Sequence, residues 1–320
     1  MNPHLLRKIG WALFTIVFVL VLNFFLFRIL PGDPARSVKD PRLTQEAIAA
    51  MQARFGLDKP LSTQFFLYVR NLLAGDLGIS FHQQRPVAQI LGGYLWNTVL
   101  LVGTGTVLAI FIGIFLGVVA AWQANRTIDY VAQIGSLVAW SMPTFWFGMI
   151  LLFLGSRYAS LPIAGMVTPG ANYNSFLDRW LDVGRHMLLP TLTYAIIYAG
   201  EYTLFMRSAM LDIFSEDYIL TAKAKGLQPM QILRDHALPN AMLPTVTVVA
   251  LNLGYTVAGA ITLETVFSWP GLGRAVVEAV GRQDYPVLQG AFLLLAVSVI
   301  LANLVADVVY GYLDPRVRSE

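Results

Sequence analysis

Few side chains in this sequence have the types and spacing that chemistry requires. There is no cysteine, which excludes disulfides, zinc fingers and Cys-ligated clusters. The histidines, His4, His82, His186 and His236, are scattered over different regions and form no spaced ligand pair, so no metal site is expected. Neither a His-Glu-x-x-His string nor a nucleophile paired with a base occurs, so no catalytic residue is expected and the chain does not read as an enzyme. None of the five lysines follows a glycine, so the Gly-Lys-Ser/Thr of a P-loop is missing. Three features remain: Glu201, an acid inside an apolar stretch; Glu264, followed by Phe267 and Trp269; and a polar segment, Ser208–Asn240, between two apolar runs.

The elements that position these residues are suited to lipid. Of 320 residues, 56% are hydrophobic and 13% charged, and the mean hydropathy is +0.61. Soluble domains carry about 25% charged residues. The net charge of +3 is no argument for nucleic acid, whose binders concentrate base on one face. A span needs about 20 helical residues, and six charge-free windows appear. They are Ile9–Phe27, Pro86–Asn125 (helix at about Asn97–Trp122), Tyr130–Ser156, His186–Gly200, His236–Leu263 and Tyr285–Ala306. The fold class expected is therefore all-α, a polytopic membrane protein with six transmembrane helices, forming one permeation domain over residues 1–320. The first window, preceded by Arg7 and Lys8, exceeds the 7–15 residues of a signal h-region and is expected to be a retained span. The fourth is short, so its helix must take in Glu201 and continue towards Arg207. Pro143 inside the third reads as a kink that frees backbone carbonyls.

Six spans put both termini on one side. With the N-terminus inside, the inner segments hold nine Lys and Arg, and the two short outer loops hold five. The long loop from Arg28 to Arg85 holds eight more and reverses the count if included. Both termini are expected to be cytoplasmic on the rule that long loops cross largely regardless of charge. Residues 31–96 then form an extracytoplasmic helical loop. Thr44 reads as the N-cap of a helix over Gln45–Phe55 stopped by Gly56, and Ser62 as the cap of one over Thr63–Ala74 stopped by Gly75. Phe65, Phe66, Val69, Leu72 and Leu73 fall on one stripe of the second.

Residues 208–240 form a cytoplasmic loop long enough to have structure of its own. Ser215 is positioned to cap a helix with Glu216 and Asp217 in its first turn, Lys223 and Lys225 in its last, and Gly226 at C′. A second helix starts near Pro229, carries Met230, Ile232 and Leu233, and is expected to stop before Pro239. Two short helices hinged at a glycine can seat in another protein's groove, lie against anionic headgroups, or pack internally. Glu201 carries about 2.5–3.5 kcal/mol of insertion cost. Arg207, about 9 Å further along the axis, marks the inner interface. Either Glu201 faces a water-filled pathway, or it pairs with a polar neighbour or reaches the interface. At Glu264 and Phe267 a short re-entrant or interfacial turn is expected, acting as an outer gate or as an anchor. The string Phe145-Trp146-Phe147 reads as a lipid-facing belt or as helix packing.

The loop resembles the EAA loop of ABC importer permeases. Ala222, Gly226, Leu238 and Pro239 match at the family spacing, whereas Leu220 stands in place of the glutamate and Thr221 in place of the first alanine. The version Thr221–Gly226 is that of the peptide-permease branch. Other strings resemble the B-type subunit of the oligopeptide, dipeptide and nickel transport family. They are Pro31–Pro34, Phe55–Asp58, Gly75–Phe81, Ser141–Trp146, His186–Pro190, Arg207–Leu211, Glu264–Phe267, Pro270–Gly273, Asp284–Pro286 and Asp314–Arg316.

The resemblance implies the type I ABC importer permease fold in a prokaryotic cytoplasmic (inner) membrane. It also implies a related second permease subunit, with a heterodimer favoured, two ATPase subunits that bind ATP and Mg, and an extracytoplasmic solute-binding protein that delivers peptides. No cofactor is expected in this chain, and lipid is its other partner. By resemblance, Thr221, Ala222, Lys225, Gly226, Leu238 and Pro239 couple to the ATPase. Glu201, Glu264 and Phe267 are candidates for the pathway or gate, with Glu201 meeting a peptide amino group. Nickel chelates and glutathione are alternative solutes. An ATP-independent secondary transporter would need paired intramembrane charges or inverted repeats, and the sequence offers one such acid, Glu201, and no convincing internal repeat.

Overall fold

The computed structural model describes residues 3–29, 59–256 and 260–313. The expected helix Gln45–Phe55 with Thr44 and Gly56, and the strings Pro31–Pro34, Phe55–Asp58 and Asp314–Arg316, lie outside the described residues. Those residues form α1 (Pro3–Ile29), α2 (Leu61–Leu73), α3 (Val87–Trp122), α4 (Thr127–Ser141), α5 (Thr144–Ala159), α6 (Phe176–Phe214), α7 (Asp217–Ala224), α8 (Pro229–Gln231), α9 (Leu238–Thr256), α10 (Ala260–Val266), α11 (Leu272–Arg282) and α12 (Tyr285–Leu313). A π-helical turn, Ile232–Ala237, joins α8 to α9. Extended pairing among the described residues is confined to one bridge, Ile79 with Pro86. The all-α expectation holds.

Arg7–Phe27, Val87–Trp122 and Tyr285–Val305 are long and apolar enough to cross a membrane, and these are the first, second and sixth windows. The third is not one straight helix. Pro143 drives Met142 out of the helical region (φ −75°, ψ 135°) because its ring crowds the preceding residue, and α4 and α5 meet at 103°. Counting that pair as one broken span makes four. The His186–Gly200 window lies inside the longer α6, and His236–Leu263 extends from the π turn into α10.

The chain divides into two compact units, 1–98 with 270–300, and 99–269 with 301–320, so α3 and α12 each have residues in both. In the first unit, α2 starts at Leu61 behind Pro60 rather than after Ser62. The fixed φ of proline prepares the helix two residues earlier. Gly75 ends this region at φ +78° as expected, but the apolar stripe is split. Phe66 and Leu73 are exposed, and Gln64 is the buried position. Phe24 of α1 packs edge-on against Phe65 at 5.1 Å, and Asn23 donates to the Gln289 carbonyl of α12 at 2.9 Å. Buried Asp284, just ahead of α12, ties down the Gly75–Phe81 segment. It accepts from Ser80 Oγ at 2.5 Å, Phe81 N at 3.1 Å and His82 N at 3.2 Å.

In the second unit α6 is the spine. Its 39 residues make a rod of about 58 Å that passes through three apolar clusters. The first holds Val183, Leu189 and Tyr194 with Leu101, Leu263, Phe267 and Trp269. The second holds Ala195 and Tyr202 with Ala109. The third holds Met206 and Met210 with Ala121, Ile219, Ala222, Ile232, Ala237 and Ala241. Glycines let α3 approach closely. A Cβ at Gly113 would lie 2.4 Å from Tyr202 Cβ, and one at Gly117 would lie 2.6 Å from Met206 Cβ. Small residues at such crossings allow backbones to meet inside a membrane.

Candidate functional site

The α7–α8 hairpin begins where α6 ends. Ser215 does not cap α7 as expected; it closes α6, donating through Oγ to the Asp212 carbonyl at 2.6 Å. Residue 216 takes the N-cap instead, its extended backbone presenting a carbonyl to Ile219 N at 3.0 Å. At the other end Gly226 sits at C′ with φ +78°. Leu227 N donates to the Ala222 carbonyl and Gly226 N to the Lys223 carbonyl. This is a Schellman closure, which needs a residue free to adopt positive φ at C′. Gln228 N then donates to Gln231 Oε1 at 3.0 Å, opening α8 at Pro229.

The second helix of the hairpin does not stop before Pro239. The chain widens into the π turn and runs on as α9, with Pro239 exposed in its first turn. In a regular helix the proline ring crowds the carbonyl four residues back. The widened turn immediately ahead changes that spacing, and π turns of this kind recur at functional sites.

The six candidate coupling residues divide between two faces. Ala222 is buried, with Ile219, against Met206, Met210 and Ile232, and Leu238 packs at the rim of the same cluster. Thr221, Lys225 and Gly226 are exposed, and Thr221 Oγ1 donates back to the Asp217 carbonyl at 3.0 Å. On the outward face of α7 Leu220 is 66% exposed, and Met230 of α8 is 62% exposed. Leu220 occupies the position that holds glutamate in the EAA pattern, so the exposed side chain at that position is apolar instead of acidic.

The pathway candidates lie on two elements. Glu201 is half-buried on α6, one turn beyond Tyr198, whose ring stacks on Tyr194 at 4.2 Å. Residues 194, 198, 201 and 205 share one stripe of the helix. Glu264 is fully buried on α10, and Phe267 follows in the first apolar cluster with Tyr194. A turn follows, as expected. Ser268 adopts φ +50°, Trp269 N donates to the Glu264 carbonyl at 2.8 Å, and Gly165 N donates to the Phe267 carbonyl at 3.0 Å. Trp269 is buried. Phe145 and Trp146 are exposed beside the α4–α5 bend, where Leu137, Val138, Ser141, Met142, Pro143 and Trp146 line an apolar groove of about 560 Å³.

Two constellations escaped the sequence reading. Buried Asp129 receives Arg207 Nε at 2.5 Å and Nη2 at 2.8 Å. The charge-free window begins at Tyr130 and so leaves Asp129 outside the span; the signal was a pair of opposite charges at the same expected end of two windows. Asp182, near the start of α6, accepts from Tyr173 Oη at 2.6 Å, Thr168 N at 2.6 Å and Thr168 Oγ1 at 2.8 Å, which pins the 160–175 loop. Burial pushes the Asp182 carboxyl up, but the Tyr173 and Thr168 hydrogen bonds outweigh it and hold it below its ordinary value. These donors belong to two residues, 9 and 14 positions away, with no motif to announce them. Among the described residues no group of His, Asp and Glu could hold a metal.

Comparison with known proteins places this arrangement. Residues 113–319 match the family described as binding-protein-dependent transport system inner membrane component, and residues 1–102 match its N-terminal companion. The dipeptide transport system permease protein DppB of Escherichia coli (strain K12) is 38% identical over 342 residues, covering all of both chains. The glutathione transport system permease protein GsiC of Salmonella choleraesuis (strain SC-B67) is 36% identical over 318 residues, 99% of each. The fold is that of a chain in inward-facing structures of the MetNI methionine ABC transporter. The match has TM-score 0.55 and 18% identity over 71% of this chain and 97% of that one. The chain therefore belongs to the binding-protein-dependent inner membrane components, as a multi-pass permease of the peptide branch of ABC importers.

Proposed function

We propose that this chain and a related second permease form the pathway of an ATP-driven importer of small peptides, energised by two separate ATPase subunits and loaded by an extracytoplasmic binding protein. The observation that carries the reading is the α7–α8 hairpin. It is anchored on the end of α6 by Ile219, Ala222 and Ile232, while Leu220, Thr221 and Met230 remain exposed. An ATPase seated on that face moves α6 through a packed core. ATP and Mg belong to the ATPase subunits, and the hairpin, with Thr221, Lys225, Gly226 and Pro239, is the coupling site. Ala222 and Leu238 serve it from inside. Six spans, both termini cytoplasmic, residues 31–96 outside and a prokaryotic inner membrane complete the arrangement. Full-length likeness to a dipeptide permease supports peptide as the solute. Likeness over 99% of the chain to a glutathione permease supports glutathione, itself a modified tripeptide, as the second reading.

The test is a mild-detergent pull-down of the tagged chain from native membranes, in wild-type and Leu220→Asp forms. Wild type should recover a P-loop ATPase and a second permease. The variant should keep the permease and lose at least five-sixths of the ATPase. Recovery of the chain alone, active in uptake without ATP, would replace this reading with a secondary transporter.

A further inference from the structure

We infer that Asp129 and Arg207 are positioning residues for transport, the link through which movement of the α7–α8 hairpin reaches the bent α4–α5 pair. The inference rests on the importer reading proposed above.

Asp129 is completely buried and every bond it makes has a direction. Its Oδ1 accepts from Arg207 Nε at 2.5 Å and Gln133 Nε2 at 2.9 Å. Its Oδ2 accepts from Arg207 Nη2 at 2.8 Å and from Asn125 N at 2.9 Å, in the turn that leads into α4. A planar guanidinium held at two points resists both rotation and sliding, which a contact between apolar side chains does not. One carboxylate thus joins the turn after α3, the start of α4 and the lower part of α6.

A second contact lies seven residues away on each helix. A Cβ added at Gly200 would come within 2.4 Å of the Ser136 carbonyl oxygen. The pairs 129 with 207 and 136 with 200 are in antiparallel register, two turns or about 10 Å apart. Attached at both points, α4 has to travel with α6. The third apolar cluster adds the driving end. Met206 and Met210 flank Arg207, are fully buried, and pack on Ile219, Ala222 and Ile232 of the hairpin. The far end of α4 is the driven end, where Leu137, Val138, Ser141, Met142 and Pro143 line the apolar groove at the 103° bend. A push on the hairpin therefore moves α6, and the ion pair obliges α4 and the groove to follow.

The experiment uses the whole importer in proteoliposomes, with its binding protein and a mixed dipeptide library quantified by mass spectrometry. The quantity read is dipeptide imported per ATP hydrolysed. Asp129→Asn and Arg207→Lys should assemble and hydrolyse ATP within about twofold of wild type, with import per ATP at least tenfold lower. The exchange Asp129→Arg with Arg207→Asp should recover at least a third of it, and the apolar pair Asp129→Leu with Arg207→Met should not. Full recovery by the apolar pair, or wild-type ratios in both single variants, would overturn the link. Gln133→Leu removes one of the four bonds without stranding a charge. If the single variants fail to assemble, it should still lower the ratio two- to fivefold, and an unchanged ratio would overturn the inference. Absence of ATP-dependent import by wild type, of the dipeptides and of glutathione supplied in their place, would instead sink the importer reading.

Discussion

The proposed coupling hairpin and the proposed pathway each turn on single residues. Gly226 has open space around a hypothetical Cβ, but its φ of +78° costs an L-residue about 1–2 kcal/mol. Gly226→Trp should therefore loosen the Schellman closure through its backbone angle, with no clash at the Cβ. The expected outcome is normal assembly with import per ATP reduced about tenfold, checked in the same vesicles by parallel ATPase and uptake assays. Unaltered uptake would remove the hinge from the coupling site. Glu201 supports a different prediction. A carboxylate half-buried on α6 beside the stacked Tyr194–Tyr198 pair suits the cationic amino group of a peptide, through charge and the adjacent aromatic face. Glu201→Gln should raise the half-saturating concentration for dipeptides with a free amino terminus about tenfold and leave N-acetylated ones unchanged. Equal effects on both, or none, would return Glu201 to a structural role.

At the scale of elements, α6 organises the second unit, and its contact with α3 depends on side chains that are missing. Gly113 places backbone against Tyr202 and the Ala199 carbonyl, and a Cβ there would fall 2.4 Å and 3.0 Å from them. Gly113→Leu should separate the helices and cut the yield of assembled protein several-fold, read as monodisperse material on size-exclusion chromatography. Gly103 of the same helix, with nothing near its Cβ, should accept alanine without loss. The sequence made the helices legible because charge-free length and Gly or Pro punctuation act locally. Gly226 at C′, Pro229 at the start of α8 and the break at Pro143 were all readable that way. The 103° angle, the π turn that carries the chain past Pro239, and the glycine crossing were not, because each depends on what lies opposite. Asp129 and Arg207 are 78 residues apart, and their opposite charges at the same expected end of two windows were the one sign of the pair. Leu220 shows the converse: its departure from the EAA pattern was visible at once, but its exposure emerged only from the burial of Ile219 and Ala222 on either side.

At the scale of the molecule, the number and direction of membrane crossings set which side each loop faces. Three apolar helices and one bent pair meet the length requirement, whereas α6 is polar at both ends. The proposed six crossings make two demands that can be tested separately. Between the loop at Ala171 and the hairpin at Lys225, both exposed, lie α6 and the eight-residue α7; only α6 is long enough to cross, so the two positions must face opposite sides. The two termini must face the same side. Because the chain has no cysteine, single substitutions Asn2→Cys, Ala171→Cys, Lys225→Cys and Ser319→Cys each report one position without background. A membrane-impermeant maleimide applied to intact cells should label Ala171→Cys alone, and the other three should react only after permeabilisation. Labelling of Ala171→Cys and Lys225→Cys from one side would mean that α6 does not cross. The hairpin could then not reach a cytoplasmic ATPase while the 160–175 loop stays outside. Labelling of the two termini from opposite sides would require an odd number of crossings, making either the bent pair or the α9–α10 segment a re-entrant element.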